Sequence, residues 1–267
     1  MKPLEYWTPE GFEISSYKYS LKERVNQSYK TSGNDNTKLC TYTYNELGFR
    51  GDSIKKEGFK VMSLGCSITE GVGVNDDETW PAQFCGHIEN GVNLNFGTGG
   101  RSNDFICRCL MSYYDLIKPD LVLIMYTFPP RREIYTDNNG IEPYIPTKVW
   151  GKLLETEEGQ AIQSSLDILQ NDNSDFINWY KNHQLIKLFL ESKKCNWLWD
   201  GKHLLTDYQE FNRFAGLDNF KMDLGSDDLH PGPKYHRHYS KVLFNHIYKN
   251  FRSYLPEDVK PIKNTLI

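Results

Sequence analysis

Three apolar runs, each short enough for a single strand, alternate with helical patterns in the first half of this 267-residue chain. The runs lie at 59–65, 92–97 and 120–128, and the intervening residues 79–90 and 103–118 carry apolar positions at three- and four-residue spacing. Continuous apolar runs are typical of strands that helices cover on both faces. The alternation therefore predicts an α/β fold with a doubly wound parallel sheet, in which ligands bind beyond the carboxyl ends of the strands.

The second half of the chain carries mainly helical patterns and one further predicted strand. We predict helices at 160–170, 176–193 and 234–251 and a strand at 195–200. The first two helices would form a helical insertion at about 131–194. Residues 1–58 lack sustained periodicity, so we treat them as an N-terminal extension to a domain that spans 59–267.

Composition excludes several classes of partner. The net charge is −4, and no segment concentrates Lys and Arg into the stripe that nucleic-acid binding requires, so we expect no nucleic-acid partner. The longest apolar runs fall well short of the roughly 18 residues of a membrane-spanning helix, and the N-terminus lacks a signal-like apolar region. We therefore expect a cytoplasmic protein without a membrane partner. The six scattered cysteines predict reduced thiols rather than a disulfide framework.

Ser67 lies just beyond the first predicted strand, in the segment GCSITEG at 65–71. A glycine-flanked turn between a strand and a helix places a hydroxyl beside backbone N–H groups, which stabilise developing negative charge. Ser67 is therefore a candidate nucleophile, and the thiol of Cys66 beside it is the alternative. The segment also fits a helix-capping pair of Ser67 with Glu70, which would be purely structural.

The segment NFGTGG at 95–100 is a second glycine-rich turn that follows a predicted strand. The Gly100 N–H or the Asn103 side chain is a candidate to hold an oxyanion there. The structural alternative is that the glycines serve turn geometry and close packing alone.

A candidate base for Ser67 lies far downstream, where Asp227 precedes His230 by three residues. This spacing allows a carboxylate to orient an imidazole, which then takes the proton of a serine hydroxyl. Asp228 is the adjacent carboxylate, but the spacing favours Asp227. A Pro-Gly pair and a predicted helix follow His230 directly.

A metal site is the alternative use of His230, together with His236, His238 and Asp227. Their spacing fits no familiar zinc signature. On a helix that begins near Lys234, His236 and His238 point in different directions, so we expect two solvated histidines and no metal.

With these segments in this order, the sequence resembles the SGNH hydrolases, also called GDSL-type esterases and lipases. GCSITEG is similar to the first block of that family, with Cys66 in place of the usual Asp, and NFGTGG is similar to the second. The resemblance implies Ser67 as nucleophile, the N–H groups of Ser67 and Gly100 as oxyanion donors, and Asp227 and His230 as the rest of a triad. It also implies a flavodoxin-like three-layer α/β/α fold and no cofactor.

The third family block, G-x-N-D, is absent, because the corresponding segment at 126–133 reads YTFPPRRE. Asn103, Thr127 or an arginine would have to replace the missing oxyanion asparagine. Arg131 and Arg132 would favour an anionic group on the substrate, since guanidinium groups bind carboxylates and phosphates well. The alternative is that these arginines lie at the surface or pair with Glu133. NELGFRGDS at 45–53 also resembles the segment that precedes the serine block in some members.

The resemblance implies a serine ester hydrolase that acts through an acyl-enzyme on a small acyl ester or an O-acetylated carbohydrate. An O-acyltransferase with the same triad and a non-enzymatic binding or structural module are the alternatives. Five aromatic residues would form either a sugar-stacking wall or part of the core: Trp150, Trp179, Tyr180, Trp197 and Trp199. The oligomeric state stays open.

Overall fold

A computed structural model describes residues 24–32, 39–136, 140–144, 155–169, 171–201 and 223–262. The strands are Ser28–Ser32 (β1), Leu39–Thr43 (β2), Arg50–Gly51 (β3), Phe59–Leu64 (β4), Gly91–Asn95 (β5), Leu121–Met125 (β6), Arg132–Thr136 (β7), Gly140–Tyr144 (β8) and Asn196–Asp200 (β9). The helices are Ser67–Glu70 (α1), Trp80–Cys85 (α2), Asn103–Ile117 (α3), Glu157–Leu169 (α4), Asp172–Ser192 (α5) and Pro233–Asn250 (α6).

The described residues form one five-stranded sheet in the order β3-β5-β4-β6-β9, together with the two hairpins β1–β2 and β7–β8. Strands β5, β4, β6 and β9 are parallel, and β3 adds an antiparallel edge strand beside β5. In chain order the parallel strands therefore run 2-1-3-4, as in the flavodoxin-like doubly wound fold. The predicted α/β class with a parallel sheet is confirmed.

Helices cover both faces of the sheet, as the continuous apolar strands predict. Val61, Leu121 and Leu123 face the helices α2 and α6. The neighbouring residues Met62 and Val122 point to the opposite face, towards α3 and α5. Because successive strand residues alternate between faces, a strand between two helical layers needs apolar residues on both faces. Among the described helices, none is long and apolar enough to cross a membrane.

The region predicted as a helical insertion contains two kinds of structure. It begins with the antiparallel hairpin β7–β8, which the sequence did not predict, and α4 follows. Helix α5 instead connects β6 to β9 and buries Trp179, Ile186 and Leu190 against the sheet. Helix α5 is therefore part of the core layer. It begins earlier than predicted, because the Asn171 side chain caps it by accepting a hydrogen bond from the Ser174 N–H.

Three of the five aromatic residues predicted to form a sugar-stacking wall or part of the core lie in the core or pack against it. Trp179 is fully buried, and Trp197 and Trp199 pack against the same apolar cluster. Tyr180 is 47% exposed, and Trp150 lies outside the described residues.

Arg50, the first residue of β3, joins the N-terminal segment to the loop that follows α1. Its side chain is only 1% exposed, and its Nε donates to Asp76 Oδ1 at 2.5 Å. Its Nη atoms donate at 2.6–3.0 Å to the carbonyls of Thr41, Glu70, Gly71 and Val74. The guanidinium also lies over the ring of Tyr42, with 4.0 Å between Cζ and the ring centroid. One side chain therefore supplies the donors for a buried, irregular loop.

We expect Arg50→Met to lower the free energy of unfolding by about 3–5 kcal/mol, because Asp76 and the loop carbonyls would lose a buried charged partner. Urea unfolding followed by circular dichroism measures this change. The matched control is Lys56→Met, which removes the exposed ion pair of Lys56 with Asp52 and should cost less than about 1 kcal/mol. A similar loss of unfolding free energy in the two variants would contradict the role assigned to Arg50.

Candidate active site

Ser67 is the first residue of α1, at the carboxyl end of the central strand β4. Cys66 is the N-cap residue and makes no side-chain capping bond, so the capping pair of Ser67 with Glu70 does not form. Ser67 is 9% exposed. Within the described residues, its N–H makes no hydrogen bond. The position thus combines a hydroxyl with an unused backbone donor, as nucleophilic catalysis requires.

The second glycine turn lies directly beside Ser67. A Cβ atom added at Gly99 would lie 3.7 Å from the Ser67 Cβ, and one added at Gly97 would clash with the Glu70 backbone nitrogen. Gly100 has a φ of +73°, a left-handed conformation that favours glycine, so turn geometry accounts for the residue type. In the described part of the chain the Gly100 N–H has no hydrogen-bond partner, so it is a second unused donor in this turn.

Asp227 and His230 form a hydrogen-bonded pair within one closed loop. The bridge between Leu224 and Pro231 closes the loop, and Gly225 N–H donates to His230 O at 2.8 Å. Asp227 Oδ2 lies 2.5 Å from His230 Nδ1. The structure therefore brings Asp227 to the imidazole, as the three-residue spacing predicts.

The pKa of Asp227 lies below its ordinary value of 3.8. Burial by itself raises this pKa, but hydrogen bonds from the His230 ring and from the N–H groups of His230 and Leu229 together outweigh it. Asp227 Oδ1 accepts from these two N–H groups at 3.0 and 3.2 Å. An ionised Asp227 is the form that orients an imidazole and stabilises its cation.

The loop with Asp227 and His230 is docked against the loop that follows α1. Ser226 N–H donates to Gly73 O at 2.8 Å, and a Cβ added at Gly73 would lie 2.9 Å from Asp227 Oδ1. Gly73 directly follows Val72, whose N–H donates to Ser67 O at 3.0 Å. The loop with the candidate base pair is therefore in direct contact with the loop that follows the helix of the candidate nucleophile.

The residues proposed to replace the third family block have separate structural partners. Asn103 is buried and pairs with the backbone of Thr127: its Oδ1 accepts from the Thr127 N–H at 3.0 Å, and its Nδ2 donates to the Thr127 carbonyl at 3.1 Å. Asn103 thereby joins the start of α3 to the chain beyond β6. The Thr127 hydroxyl accepts a hydrogen bond from Arg131 Nη1 at 2.8 Å.

The two adjacent arginines differ in their contacts, and neither pairs with Glu133. Arg132 donates to Asp175 on α5 at 2.7 Å, whereas the Glu133 carboxylate binds Arg108 through two hydrogen bonds of 2.6 and 3.0 Å. Arg131 is half-buried, and its Nε makes no hydrogen bond to the described residues. Arg131 is therefore the better candidate for an anionic substrate group.

The prediction that His236 is solvated is wrong. His236 is fully buried between α6 and α2, where its Nδ1 accepts a hydrogen bond from the Trp80 N–H at 3.0 Å. Burial lowers the pKa of His236 to about 3, so the imidazole is neutral. The described residues contain no group of three or more His, Cys, Asp or Glu side chains that could hold a metal ion. Cys66 is buried, and its Sγ lies 3.9 Å from Ser67 Oγ.

Two acidic residues near the site have partners that the sequence did not indicate. Asp223 accepts hydrogen bonds from the N–H groups of Lys234 and Tyr235 at 2.9 and 2.8 Å, so it caps α6 from outside the helix. Glu70 accepts a hydrogen bond from the Gly99 N–H at 2.6 Å. Sequence reasoning took Glu70 only as a capping residue, because its partners lie far away along the chain.

We expect the stabilisation that depends on ionised Asp227 to disappear in acid. Because folding lowers the pKa of Asp227, its carboxylate stabilises the fold at pH values above 3.8, and this contribution is lost as the pH falls through the lower folded value. The difference in unfolding free energy between wild type and Asp227→Asn should therefore shrink from about pH 7 to about pH 3. Urea unfolding at each pH measures it. The exposed Leu229→Ala change alters no titrating group and should give a constant difference; a constant difference for Asp227→Asn would contradict the prediction.

Comparison with known proteins gives structural neighbours only, because no family model and no curated protein matches the sequence. A member of the lipolytic protein G-D-S-L family from Veillonella parvula matches with 15% identity, 73% coverage of this chain, 99% coverage of that chain and a TM-score of 0.34. A family 3 carbohydrate esterase from Clostridium thermocellum matches with 11% identity, 75% and 100% coverage and a TM-score of 0.36. An acetylxylan esterase from Geobacillus stearothermophilus matches with 16% identity, 72% and 94% coverage and a TM-score of 0.30.

Proposed function

We propose that this protein is a serine ester hydrolase of the SGNH type. The observation that carries the proposal is the pair of Asp227 and His230, with 2.5 Å between Oδ2 and Nδ1, on a loop docked against the loop that follows Ser67. The unused N–H groups of Ser67 and Gly100 support the same chemistry, because an oxyanion needs preorganised donors that are not already occupied.

In this proposal Ser67 Oγ attacks the acyl carbonyl of the ester while His230 takes the hydroxyl proton. Asp227 holds the imidazole through Nδ1 and stabilises its cation. The N–H groups of Ser67 and Gly100 bind the oxyanion, and the tetrahedral intermediate collapses as His230 returns the proton to the leaving alcohol. Water activated by His230 then releases the acid from the acyl-enzyme.

The proposed substrates are small acyl esters or O-acetylated carbohydrates. The third oxyanion donor of the family, the asparagine of G-x-N-D, has no direct equivalent among the described residues, since Asn103 is engaged with the backbone of Thr127. Loss of one oxyanion donor typically slows an enzyme about 100- to 1000-fold. We propose that Arg131, held beside Thr127, binds an anionic group on those substrates that carry one.

We expect purified wild-type protein to hydrolyse p-nitrophenyl acetate or acetylated xylo-oligosaccharide and to react with a fluorophosphonate at Ser67. Ser67→Ala should abolish the label and the turnover. His230→Ala should lower turnover by about 1000-fold or more, because the Ser67 hydroxyl would lose its general base. Turnover is followed by released p-nitrophenol or acetate, and the label is located by peptide mass spectrometry.

Two matched variants control this experiment. Cys66→Ala removes the neighbouring thiol, and His238→Ala removes an imidazole of α6; both should keep the label and the turnover. A label at Cys66 would assign the nucleophile to the thiol. Acyl transfer to an added alcohol in preference to water would favour the acyltransferase, and the absence of both label and turnover would favour a binding module.

We expect Arg131→Gln to raise KM about 10-fold for a p-nitrophenyl ester whose acyl chain ends in a carboxylate, because a charge-assisted hydrogen bond would be lost. KM for the neutral p-nitrophenyl acetate should change much less. Arg132→Gln is the control, since Arg132 is paired with Asp175. Equal KM changes for the two esters, or an equal effect of Arg132→Gln, would contradict the assignment of Arg131.

A further inference from the structure

The Glu70 carboxylate connects the candidate nucleophile helix to two other segments of the chain. Glu70 is the last residue of α1, the helix that begins with Ser67, and it is only 3% exposed. Its Oε2 accepts the Gly99 N–H at 2.6 Å. Its Oε1 accepts Tyr44 Oη at 2.9 Å and Arg24 Nη1 at 2.8 Å, both from the N-terminal segment.

These contacts use both oxygens of the carboxylate on opposite sides. Oε2 binds the turn of Gly99 and Gly100, and Oε1 binds the two donors from the N-terminal segment. A carboxylate accepts at both oxygens, whereas a glutamine of the same shape has one acceptor and one donor group. With glutamine at position 70, the donors on one side would face the side-chain NH2 group and would lose their acceptor.

The second glycine turn packs closely against α1 at Gly97 and is open at Gly100. A Cβ atom added at Gly97 would clash with the Glu70 nitrogen. The first residues of the second glycine turn are therefore in contact with the end of α1. Gly100 lies at the far end of that turn, with no atom within 4 Å of an added Cβ. The Glu70–Gly99 hydrogen bond is therefore the restraint nearest to Gly100 on the side of α1.

We propose that Glu70 is a positioning residue for the reaction: its carboxylate holds the Gly99–Gly100 turn so that the Gly100 N–H meets the oxyanion formed at Ser67. This inference rests on the proposed hydrolase function and extends it. It also gives the N-terminal segment a role, because Arg24 and Tyr44 fix the carboxylate from the opposite side. A shift of about 1 Å in a catalytic donor can cost about 100-fold in rate.

The test compares the kinetics of Glu70→Gln with wild type. We expect kcat to fall about 10- to 100-fold with KM within about 3-fold, because an oxyanion donor acts in the transition state and not in substrate binding. The rate of fluorophosphonate labelling should fall in parallel. An unchanged kcat, or a fall in kcat/KM that arises from KM alone, would overturn the inference.

Two variants separate positioning from general destabilisation. Glu78→Gln alters a half-buried glutamate whose carboxylate binds Asn75 at 2.9 and 3.0 Å, and it should leave kcat unchanged. Tyr44→Phe removes one donor to Oε1 and keeps the bond to Gly99, so its loss of kcat should be smaller than that of Glu70→Gln. An equal loss of kcat in Glu78→Gln and Glu70→Gln would overturn the inference.

A measurement on wild type tests the positioning bond separately from the hydrolase assignment and from the folding of the variant. In protein labelled with ¹⁵N-glycine and ¹³C-glutamate, the Gly99 amide should show scalar coupling across its hydrogen bond to the Glu70 carboxylate. Absence of this coupling would overturn the positioning role even in an active esterase. If the coupling is present but the protein shows neither turnover nor label, the proposed hydrolase function is wrong, and the catalytic role of Glu70 is then wrong as well.

Discussion

The buried guanidinium of Arg50 is the interaction on which the arrangement of the site depends. The loop after α1 runs beneath the N-terminal hairpin with irregular backbone, and buried carbonyls need donors that no helix or sheet supplies there. Arg50 provides them from the edge strand β3 and pairs with Asp76 at the far end of the loop. Because Gly73 in that loop receives the segment with Asp227, the position of the candidate base pair depends on the same guanidinium. The N-terminal segment is thus part of the site's support.

Close backbone contacts join the second glycine turn to α1, and the loop after α1 to the loop with Asp227 and His230. Gly97 lies against the backbone of α1, and Gly73 lies against Gly225 and Asp227, so a larger residue at either position would push a loop away. Side chains then set the finer geometry. Glu70 holds the second glycine turn, and Asp227 holds the imidazole of His230. An active site of this kind requires rigid support for its donors, since preorganisation is what lowers the barrier.

Much of the fold was predictable because the relevant signals are local. Strands buried on both faces are mostly apolar, so β4 and β6 were predicted within about one to three residues of their observed ends. The hairpin β7–β8 was missed, since its strands lack an alternating apolar pattern. The burial of His236 was missed as well, because it depends on α2 packing against α6 rather than on the sequence around the histidine. The predicted triad and oxyanion donors stay predictions, with the pairing of Asp227 and His230 in their favour.

The sequence by itself determined the α/β class, the position of Ser67 between a buried strand and a helix, and the spacing that joins Asp227 to His230. Each of these follows from periodicity or from contacts within a few residues, which local sequence encodes directly. Only the tertiary structure decided that Arg132 pairs with Asp175, that Arg131 is held at Thr127, and that Glu70 joins α1 to the second glycine turn. The physical reason is that charged and polar side chains choose partners by proximity in the folded chain, and that proximity arises only when the sheet and its helices have packed.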